Sequence, residues 1–149
     1  MNAGVFITST PLLDDSVFED VTVFITEYNG KGAIGFVTNK PFGRNLNELE
    51  EFSNSIPFPL YDGGPVDREH LYMVHRRPDL IHDGTLITGN LHMGGNFAAA
   101  LQHLNDGSIT GQDIKLFIGY CGWDHGELEA EVAEGSWNIV ENENPFSQP

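Results

Sequence analysis

Short apolar or alternating runs, each closed by glycine, proline, asparagine or aspartate, recur along this chain of 149 residues. Runs of about four to eight such residues between turn formers are typical of β-strands. The pattern predicts strands over residues 5–10, 21–28, 33–38, 71–75, 84–88 and 114–120. Because Asn29-Gly30-Lys31-Gly32 favours positive φ, we expect the second and third of these strands to pair as an antiparallel hairpin.

Helical spacing occurs in three places. Apolar residues recur every three or four positions from Phe97 to Leu104, which predicts an amphipathic helix. Asn45 and Glu48 resemble a capping box, so a short helix is expected through Phe52 with its apolar side chains on one face. Residues 127–134 predict a short acidic helix. Together with the strands, these helices indicate an α+β fold.

The most specific pattern runs from Gly119 to Glu131, where a strand, a glycine turn and an acidic helix follow one another without a spacer. Its form is Gly-Tyr-x-Gly-Trp-x-x-Gly-Glu-Leu-Glu-x-Glu, followed closely by Ser136-Trp137. This pattern resembles the signature of the YqgE/AlgH family of small bacterial proteins, which usually has glutamine where this chain has Glu127. Three earlier blocks resemble the family in the same order: they lie within 10–23, 32–41 and 62–66.

The resemblance implies a mostly antiparallel, strongly curved and branched sheet that closes into a pseudo-barrel, with two or three short helices. It covers the chain from Gly4 to Trp137, so we expect one domain over 1–140 and an unstructured polar tail over 141–149. Family members are described largely as uncharacterised, and one branch carries a transcriptional-regulator label. The resemblance therefore implies a fold and a set of relatives more than an activity.

The charge of the chain argues against some classes of partner. Twenty-two acidic residues against seven basic ones give a net charge of −15, and a field of this sign repels the phosphates of nucleic acids. Direct nucleic-acid binding is therefore not expected. No apolar stretch approaches the ~18 residues of a membrane helix, and a single cysteine without a secretory pattern fits a reducing cytoplasm. We expect a soluble cytoplasmic protein with no membrane segment.

Candidate catalytic groups do not form a known pattern. Cys121 follows a strand as a nucleophile would, but the elbow pattern requires glycine where this chain has Trp123, so a buried, inert thiol is expected. The six histidines lack zinc-binding spacing, and no nucleotide-binding loop is present, so no metal or cofactor is predicted. His125, with Asp124 and Glu127 nearby, is interpreted as part of a solvated turn rather than a metal site.

Two other features allow either a binding or a structural interpretation. Gly63-Gly64 could turn its N–H groups toward an anion, although a simple turn is the preferred interpretation. Arg68, Arg76 and Arg77 could form a local cationic spot, or they could lie in a solvated loop. Neither feature identifies a ligand by itself.

Three turns carry the family resemblance and each ends a strand, so we expect them to meet as the rim of a shallow site on one face of the sheet. Trp123 and Tyr120 would form its apolar floor and Glu127 its polar group. The alternative is that both aromatic residues belong to the core. The candidate binding residues are Asn39, Pro41, Gly63, Gly64, Pro65, Tyr120, Trp123 and Glu127.

Two functions remain open at this point. The first is a non-catalytic binding or regulatory module with an unidentified protein or small-molecule partner. The second is a small hydrolase or transferase in which Glu127 or Asp124 acts as a base and the glycine turns stabilise an oxyanion. A DNA-binding regulator, which is the label of some relatives, is disfavoured by the charge.

Overall fold

Ten β-strands and two α-helices form the part of the fold that a computed structural model describes, residues 1–140 and 144–146. The strands are β1 (Phe6–Ser9), β2 (Thr22–Asn29), β3 (Gly32–Val37), β4 (Pro41–Asn45), β5 (Pro59–Asp62), β6 (Val66–His75), β7 (Thr85–Thr88), β8 (Leu91–Met93), β9 (Ile114–Asp124) and β10 (Trp137–Val140). The helices are α1 (Phe97–Asp106) and α2 (Glu127–Ala133), and single 3₁₀ turns cover Pro11–Leu13, Leu46–Glu48 and Glu50–Phe52. The predicted α+β class is confirmed.

The strands belong to one branched sheet with the order β10-β1-β2-β3-β9-β6-β8-β7, and β4 and β5 form the branch. Strand β9 is the branch point. It pairs with β6 along one edge, and the other edge is divided between β5, at Leu116–Ile118, and β3, at Cys121–Asp124. Gly119 lies between these two segments with a φ of 74°, a conformation that glycine adopts without steric penalty. The branch therefore brings the carboxyl ends of β3 and β5 to the same point on β9.

The sheet curls until strands from its two ends share a core. Phe6 and Phe24, on β1 and β2, are buried in one cluster with Ile87 of β7 and Phe117 of β9. The end strands β7 and β10 do not pair with each other in the part of the chain that is described. The strong curvature implied by the family resemblance is therefore present, and the sheet is left open.

The clearest hydrophobic patterns give the expected elements. β2 and β3 form the predicted antiparallel hairpin, with Asn29 opposite Gly32. Helix α1 begins after Asn96, whose Oδ1 accepts a hydrogen bond from the Ala99 N–H at 3.1 Å, and it ends at Gly107 with a φ of 84°. Both ends therefore have the side chains and backbone angles that stabilise helix termini.

The predicted continuous helix from Asn45 through Phe52 is wrong. The segment forms two separate 3₁₀ turns, and the Asn45 side chain makes no capping hydrogen bond. Leu49, between the two turns, has an extended backbone with a ψ of 133°. Apolar residues spaced by three match the three-residue turn of a 3₁₀ helix better than an α-helix, and these residues still pack on the core beneath α1.

Strand prediction was incomplete where the sequence is polar or very short. Strand β6 begins at Val66 rather than at Leu71, with a register shift that leaves the polar residues 67–70 out of the regular ladder opposite β9. Strands β4, β5, β8 and β10 were not predicted. Strands of three to five residues are too short to show a period, because a single turn former obscures them.

Two expectations concern the ends of the chain and the membrane. The predicted polar tail over 141–149 lies largely outside the described residues, of which only 144–146 fall within it. Among the described helices, none combines the length and apolar character needed to span a membrane.

Candidate functional site

Two of the three predicted turns are joined by main-chain hydrogen bonds. The Asp62 N–H donates to the Lys40 carbonyl at 2.8 Å, and the Val37 N–H donates to the Gly63 carbonyl at 2.9 Å. The Gly63 N–H in turn donates to the Ile118 carbonyl of β9 at 2.8 Å. The turn at 39–41 and the turn at 63–65 are therefore held side by side, at the point where β9 divides its edge between β3 and β5.

The glycines of the second turn are required by close packing of two main chains. Gly64 has a φ of 153°, and a Cβ atom placed there would overlap the backbone of Tyr120. Gly119 has the reciprocal problem, since a Cβ atom would meet the carbonyl oxygens of Gly64 and Val66. Because the Gly63 N–H is already bonded to Ile118, it is not available to an anion. These contacts favour the turn interpretation of the glycine pair over the anion site.

A cavity of about 270 Å³ opens beside these two turns and the preceding loop. Apolar side chains form most of its wall and three charged residues stand at its edge: the set is Val17, Phe18, Val21, Val37, Pro65, Lys40, Asp62, Arg68 and the backbone of Gly64. Val17 lies on the loop and is 74% exposed. The sequence placed two of these turns in a site but did not identify the loop as its third wall.

Asn39 fixes that third wall rather than facing the cavity. Its Oδ1 accepts a hydrogen bond from the Thr22 N–H at 2.9 Å, and its Nδ2 donates to the Asp20 carbonyl at 2.9 Å. Asp20 has a φ of 51°, so the loop turns into β2 through a backbone conformation that is uncommon for a residue other than glycine. The amide of Asn39 therefore ties the loop to the turn at 39–41.

Two of the three charged residues at the cavity, Arg68 and Asp62, form an ion pair with each other, and the third is Lys40. Arg68 donates to Asp62 Oδ1 at 2.5 Å and to the Gly64 carbonyl at 3.1 Å, and its guanidinium lies 5.9 Å from the centre of the Phe42 ring. Lys40 is exposed and forms no ion pair with any described residue. The cavity therefore has a neutralised Arg–Asp pair and one further positive charge at its edge.

The third predicted turn contacts the site through its backbone, while its side chains are used elsewhere. Tyr120 packs its ring edge-on against Tyr72 at 5.5 Å, and Trp123 is only 7% exposed. Both residues line a separate, more open depression of about 240 Å³ beside the β2–β3 hairpin. The Glu127 carboxylate accepts a hydrogen bond from the Asp124 N–H at 2.6 Å. None of these three side chains lines the 270 Å³ cavity, and ligand binding by them stays a prediction.

Trp123 belongs to a structural cluster that includes the second tryptophan. The Trp123 and Trp137 indole N–H groups both donate to Glu131 Oε1, at 3.1 and 2.9 Å, and the two rings are nearly perpendicular with centroids 6.0 Å apart. Buried indole N–H groups need an acceptor, and Glu131 supplies it for both. These contacts favour the core interpretation of Trp123.

Cys121 lies beneath the site as a buried thiol, as predicted. Its side chain is fully buried, and the Sγ–H donates to the Gly63 carbonyl at 3.5 Å. Burial, with a smaller contribution from the Asp62 carboxylate, raises the pKa of the Cys121 thiol to about 12. The thiolate needed for nucleophilic attack is therefore strongly disfavoured near neutral pH.

Sequence reasoning missed a buried lysine on β9. The Lys115 ammonium donates to the Thr38 carbonyl at 2.7 Å and lies 3.9 Å from the centre of the Tyr61 ring. Burial lowers the pKa of Lys115 to about 8. The signal that could have identified it is a single lysine inside an otherwise apolar strand, between Ile114 and Leu116, because charged residues are rarely buried without a specific contact.

The three arginines do not form one cationic spot. Arg68 lies near the start of β6, whereas Arg76 and Arg77 follow its end. Arg76 pairs with Asp113 at 3.2 Å, and Arg77 pairs with Asp79 at 2.9 Å. Within the described ranges, no three His, Cys, Asp or Glu side chains converge closely enough to hold a metal ion.

Comparison with known proteins assigns the family. A model of the family described as DUF179, AlgH-like, matches residues 6–148. The chain belongs to the AlgH-like family. A UPF0301 protein of Chlorobium luteolum is 34% identical over 135 residues, which cover 91% of this chain and 71% of that protein. A UPF0301 protein of Parabacteroides distasonis is 32% identical over 138 residues, covering 91% and 70%. The resemblance drawn from the sequence motifs is confirmed.

Solved structures of the AlgH-like fold agree with the topology. The solution structure of AlgH from Pseudomonas aeruginosa superposes with a TM-score of 0.80 at 28% identity, covering 99% of this chain and 82% of that one. A protein of Corynebacterium diphtheriae superposes with a TM-score of 0.79 at 18% identity, covering 98% and 78%. The open, curved sheet is therefore shared with the AlgH-like relatives, whose biochemical activity is uncharacterised.

Proposed function

We propose that this AlgH-like chain is a non-catalytic binding module of the cytoplasm, with a regulatory role exerted through what it binds. Its site is the cavity between the loop at 17–21, the turn at 39–41 and the turn at 62–65. One observation carries the proposal: the main-chain bonds that join the two turns leave a half-open apolar cavity beside them. Concave apolar sites with a few polar groups at the edge are the usual form of ligand pockets.

The exposure of the loop supports this choice of site. Val17 is the most exposed of the large apolar side chains in the described residues, and it stands at the mouth of the cavity. A single exposed apolar residue has no special meaning, but here it continues an apolar wall that already includes Phe18 and Val21. A ligand or partner that enters the cavity would cover Val17 and remove its surface from water.

The alternative of a hydrolase or transferase has weaker support. Its proposed base, Glu127, accepts a hydrogen bond from the Asp124 N–H at the start of α2. The nearby Cys121 is a buried thiol whose pKa is raised to about 12 by burial. Neither group lines the 270 Å³ cavity. The other proposed base, Asp124, lines the separate and more open depression beside the β2–β3 hairpin, so the hydrolase or transferase would need a different site.

The proposal is tested with a neutral probe and with a variant at an exposed residue of the cavity wall. Phenylacetamide is titrated into the ¹⁵N-labelled protein, and its dissociation constant is measured from amide shifts. Val17→Asp places a charge at the mouth of the cavity, and we expect it to weaken binding at least tenfold. Leu86→Asp is the control, because Leu86 is 61% exposed on strand β7 and does not line the cavity. Equal affinities for the two variants would contradict the proposal.

A further inference from the structure

We infer that the cavity selects ligands with a small apolar body and a single carboxylate, presented either by a small carboxylic acid or by the C-terminus of a partner polypeptide. The inference rests on the proposed function, because it names the chemistry of what the same cavity holds. It is carried by the position of Lys40 relative to the apolar wall and to the Arg68–Asp62 pair.

Positive charge is concentrated at the cavity. The chain has only seven basic residues and a net charge of −15, yet Lys40 and Arg68 both stand at this cavity. The carboxylate of Asp62 neutralises Arg68 at 2.5 Å, and the guanidinium also bonds the Gly64 carbonyl. Lys40 has no carboxylate partner among the described residues. An anionic ligand group would therefore meet one unmatched cation beside an ion pair that is already satisfied.

The surroundings of the cavity also limit the sign and number of charges that a ligand can carry. A cationic group would have to compete with Arg68 for Asp62, and that bond is charge-assisted. A multiply charged group such as a phosphate ester would be repelled by the field of the whole molecule. A single carboxylate gains the contact with Lys40 and suffers the least repulsion. The local charge of the cavity therefore favours an anionic group, and the net charge of the protein restricts that group to a single charge.

The size and lining of the cavity determine the apolar group that fits into it. Its volume of about 270 Å³ lies just below the usual range of small-molecule pockets. A dry apolar cavity of roughly 150 Å³ is large enough to bind benzene. The walls formed by Phe18, Val21 and Val37 can therefore contact one aromatic ring or one branched aliphatic side chain. An apolar group of this size next to a carboxylate is what an arylacetic acid or a C-terminal phenylalanine presents.

The inference is tested with three probes that share one shape. Phenylacetate, phenylacetamide and phenethylamine are titrated into the protein at neutral pH, and the dissociation constants are measured from the amide shifts of the cavity residues. An exposed ion pair contributes up to about 1 kcal/mol, which is about fivefold in affinity. We expect phenylacetate to bind about two- to fivefold more tightly than phenylacetamide, and phenethylamine to bind most weakly.

Variants of Lys40 separate the contribution of the ligand's charge to binding from the contribution of its shape. Lys40→Gln should remove the preference for phenylacetate, measured as the ratio of the phenylacetate and phenylacetamide dissociation constants within that variant, whereas Lys40→Arg should retain the wild-type ratio. Lys31→Gln is the matched control, because Lys31 is an exposed lysine that lines the separate depression. If phenylacetamide binds and phenylacetate binds no better, the charge inference is overturned while the proposed function stands. If neither probe binds at the cavity, both are overturned.

The two sources of the carboxylate are distinguished by peptides. Acetyl-Gly-Phe with a free C-terminus and the same peptide with a C-terminal amide are titrated in parallel. Tighter binding of the free acid than of phenylacetate, lost in Lys40→Gln, supports the inference and assigns the carboxylate to a polypeptide end. Lys40-dependent binding of phenylacetate with weaker binding of the peptide supports the inference and assigns it to a small acid.

Discussion

Two regions that carry the family resemblance use their specific residues in different ways. At the turn 63–65, Gly63 and Gly64 let the main chain approach β9 closely, and the space beside this turn and the turn 39–41 stays open as a cavity. At the end of β9, Trp123, Trp137 and Glu131 fill the space with rings and hydrogen bonds. A motif shared across a family therefore combines residues that hold the fold with residues that border a site, and only packing separates the two roles.

The largest expected effect breaks the close contact at Gly64. Gly64→Ala places a Cβ atom against the Tyr120 backbone at a φ of 153°, and we expect the free energy of unfolding to fall by at least about 3 kcal/mol. Gly43→Ala is the control, because Gly43 also has a positive φ of 87° but a Cβ atom there meets nothing within 4 Å. The control should lose only about 1 kcal/mol. Similar losses in urea unfolding would show that steric overlap does not govern Gly64.

The next effect concerns the filled region, which is the cluster of Trp123, Trp137 and Glu131 at the end of β9. Glu131→Ala removes the acceptor of two buried indole N–H groups, and we expect a loss of about 2 kcal/mol or more in the free energy of unfolding. Glu131→Gln keeps a carbonyl acceptor and should lose less. Glu134→Ala, at an exposed position at the end of α2, is the control with a change near zero. Tryptophan fluorescence follows all three unfolding curves, and an Ala variant as stable as the wild type would contradict the structural role.

A smaller effect tests how the loop wall is held. Asn39→Ala removes the hydrogen bonds to the Thr22 N–H and the Asp20 carbonyl, and a loss of about 1 kcal/mol is expected. Asn39→Asp keeps the acceptor for Thr22 and should be intermediate. Because the loop carries Val17, the Ala variant should also bind phenylacetamide more weakly than the wild type. Unchanged affinity with reduced stability would mean that the loop position does not control the cavity.

The smallest effect uses Cys121, which lies between the two regions. Burial raises the pKa of its thiol to about 12 in the folded state, whereas an unfolded thiol ionises near pH 8.5. The unfolded state therefore releases its proton first, and stability falls as the pH rises through about 8.5. Between pH 8 and pH 9 we expect the wild type to lose about 0.7 kcal/mol more than Cys121→Ala. Parallel pH dependences in urea unfolding would contradict a raised pKa.

The sequence predicted the elements whose period is long enough to read. The β2–β3 hairpin and α1 each span several repeats of an apolar pattern, so their type and partners followed directly. The helix predicted over residues 45–52 is wrong because apolar residues spaced by three fit both an α-helix and a 3₁₀ turn. Strands β4, β5, β8 and β10 were not predicted, because three to five residues contain no measurable period.

The site was predicted in part for a different reason. The turns at Asn39 and Gly63-Gly64 were found because their blocks resemble the family, and the branch at Gly119 does bring them together. The side-chain directions of Tyr120 and Trp123 could not be derived, because the positive φ of Gly119 changes which face the following residues meet. The contribution of Val17 to the cavity wall depends on long-range packing of the loop, which no local pattern encodes.

The most direct test of the binding proposal is a shift map of the two regions with one neutral probe. Phenylacetamide is titrated into the ¹⁵N-labelled wild type, and the largest amide shifts are located on the fold. We expect them to lie at Val37, Lys40 and Gly64, with little change around the two tryptophans. Largest shifts at Trp123, Asp124 and Glu131 would place binding in the filled region and contradict the assignment of the cavity as the site.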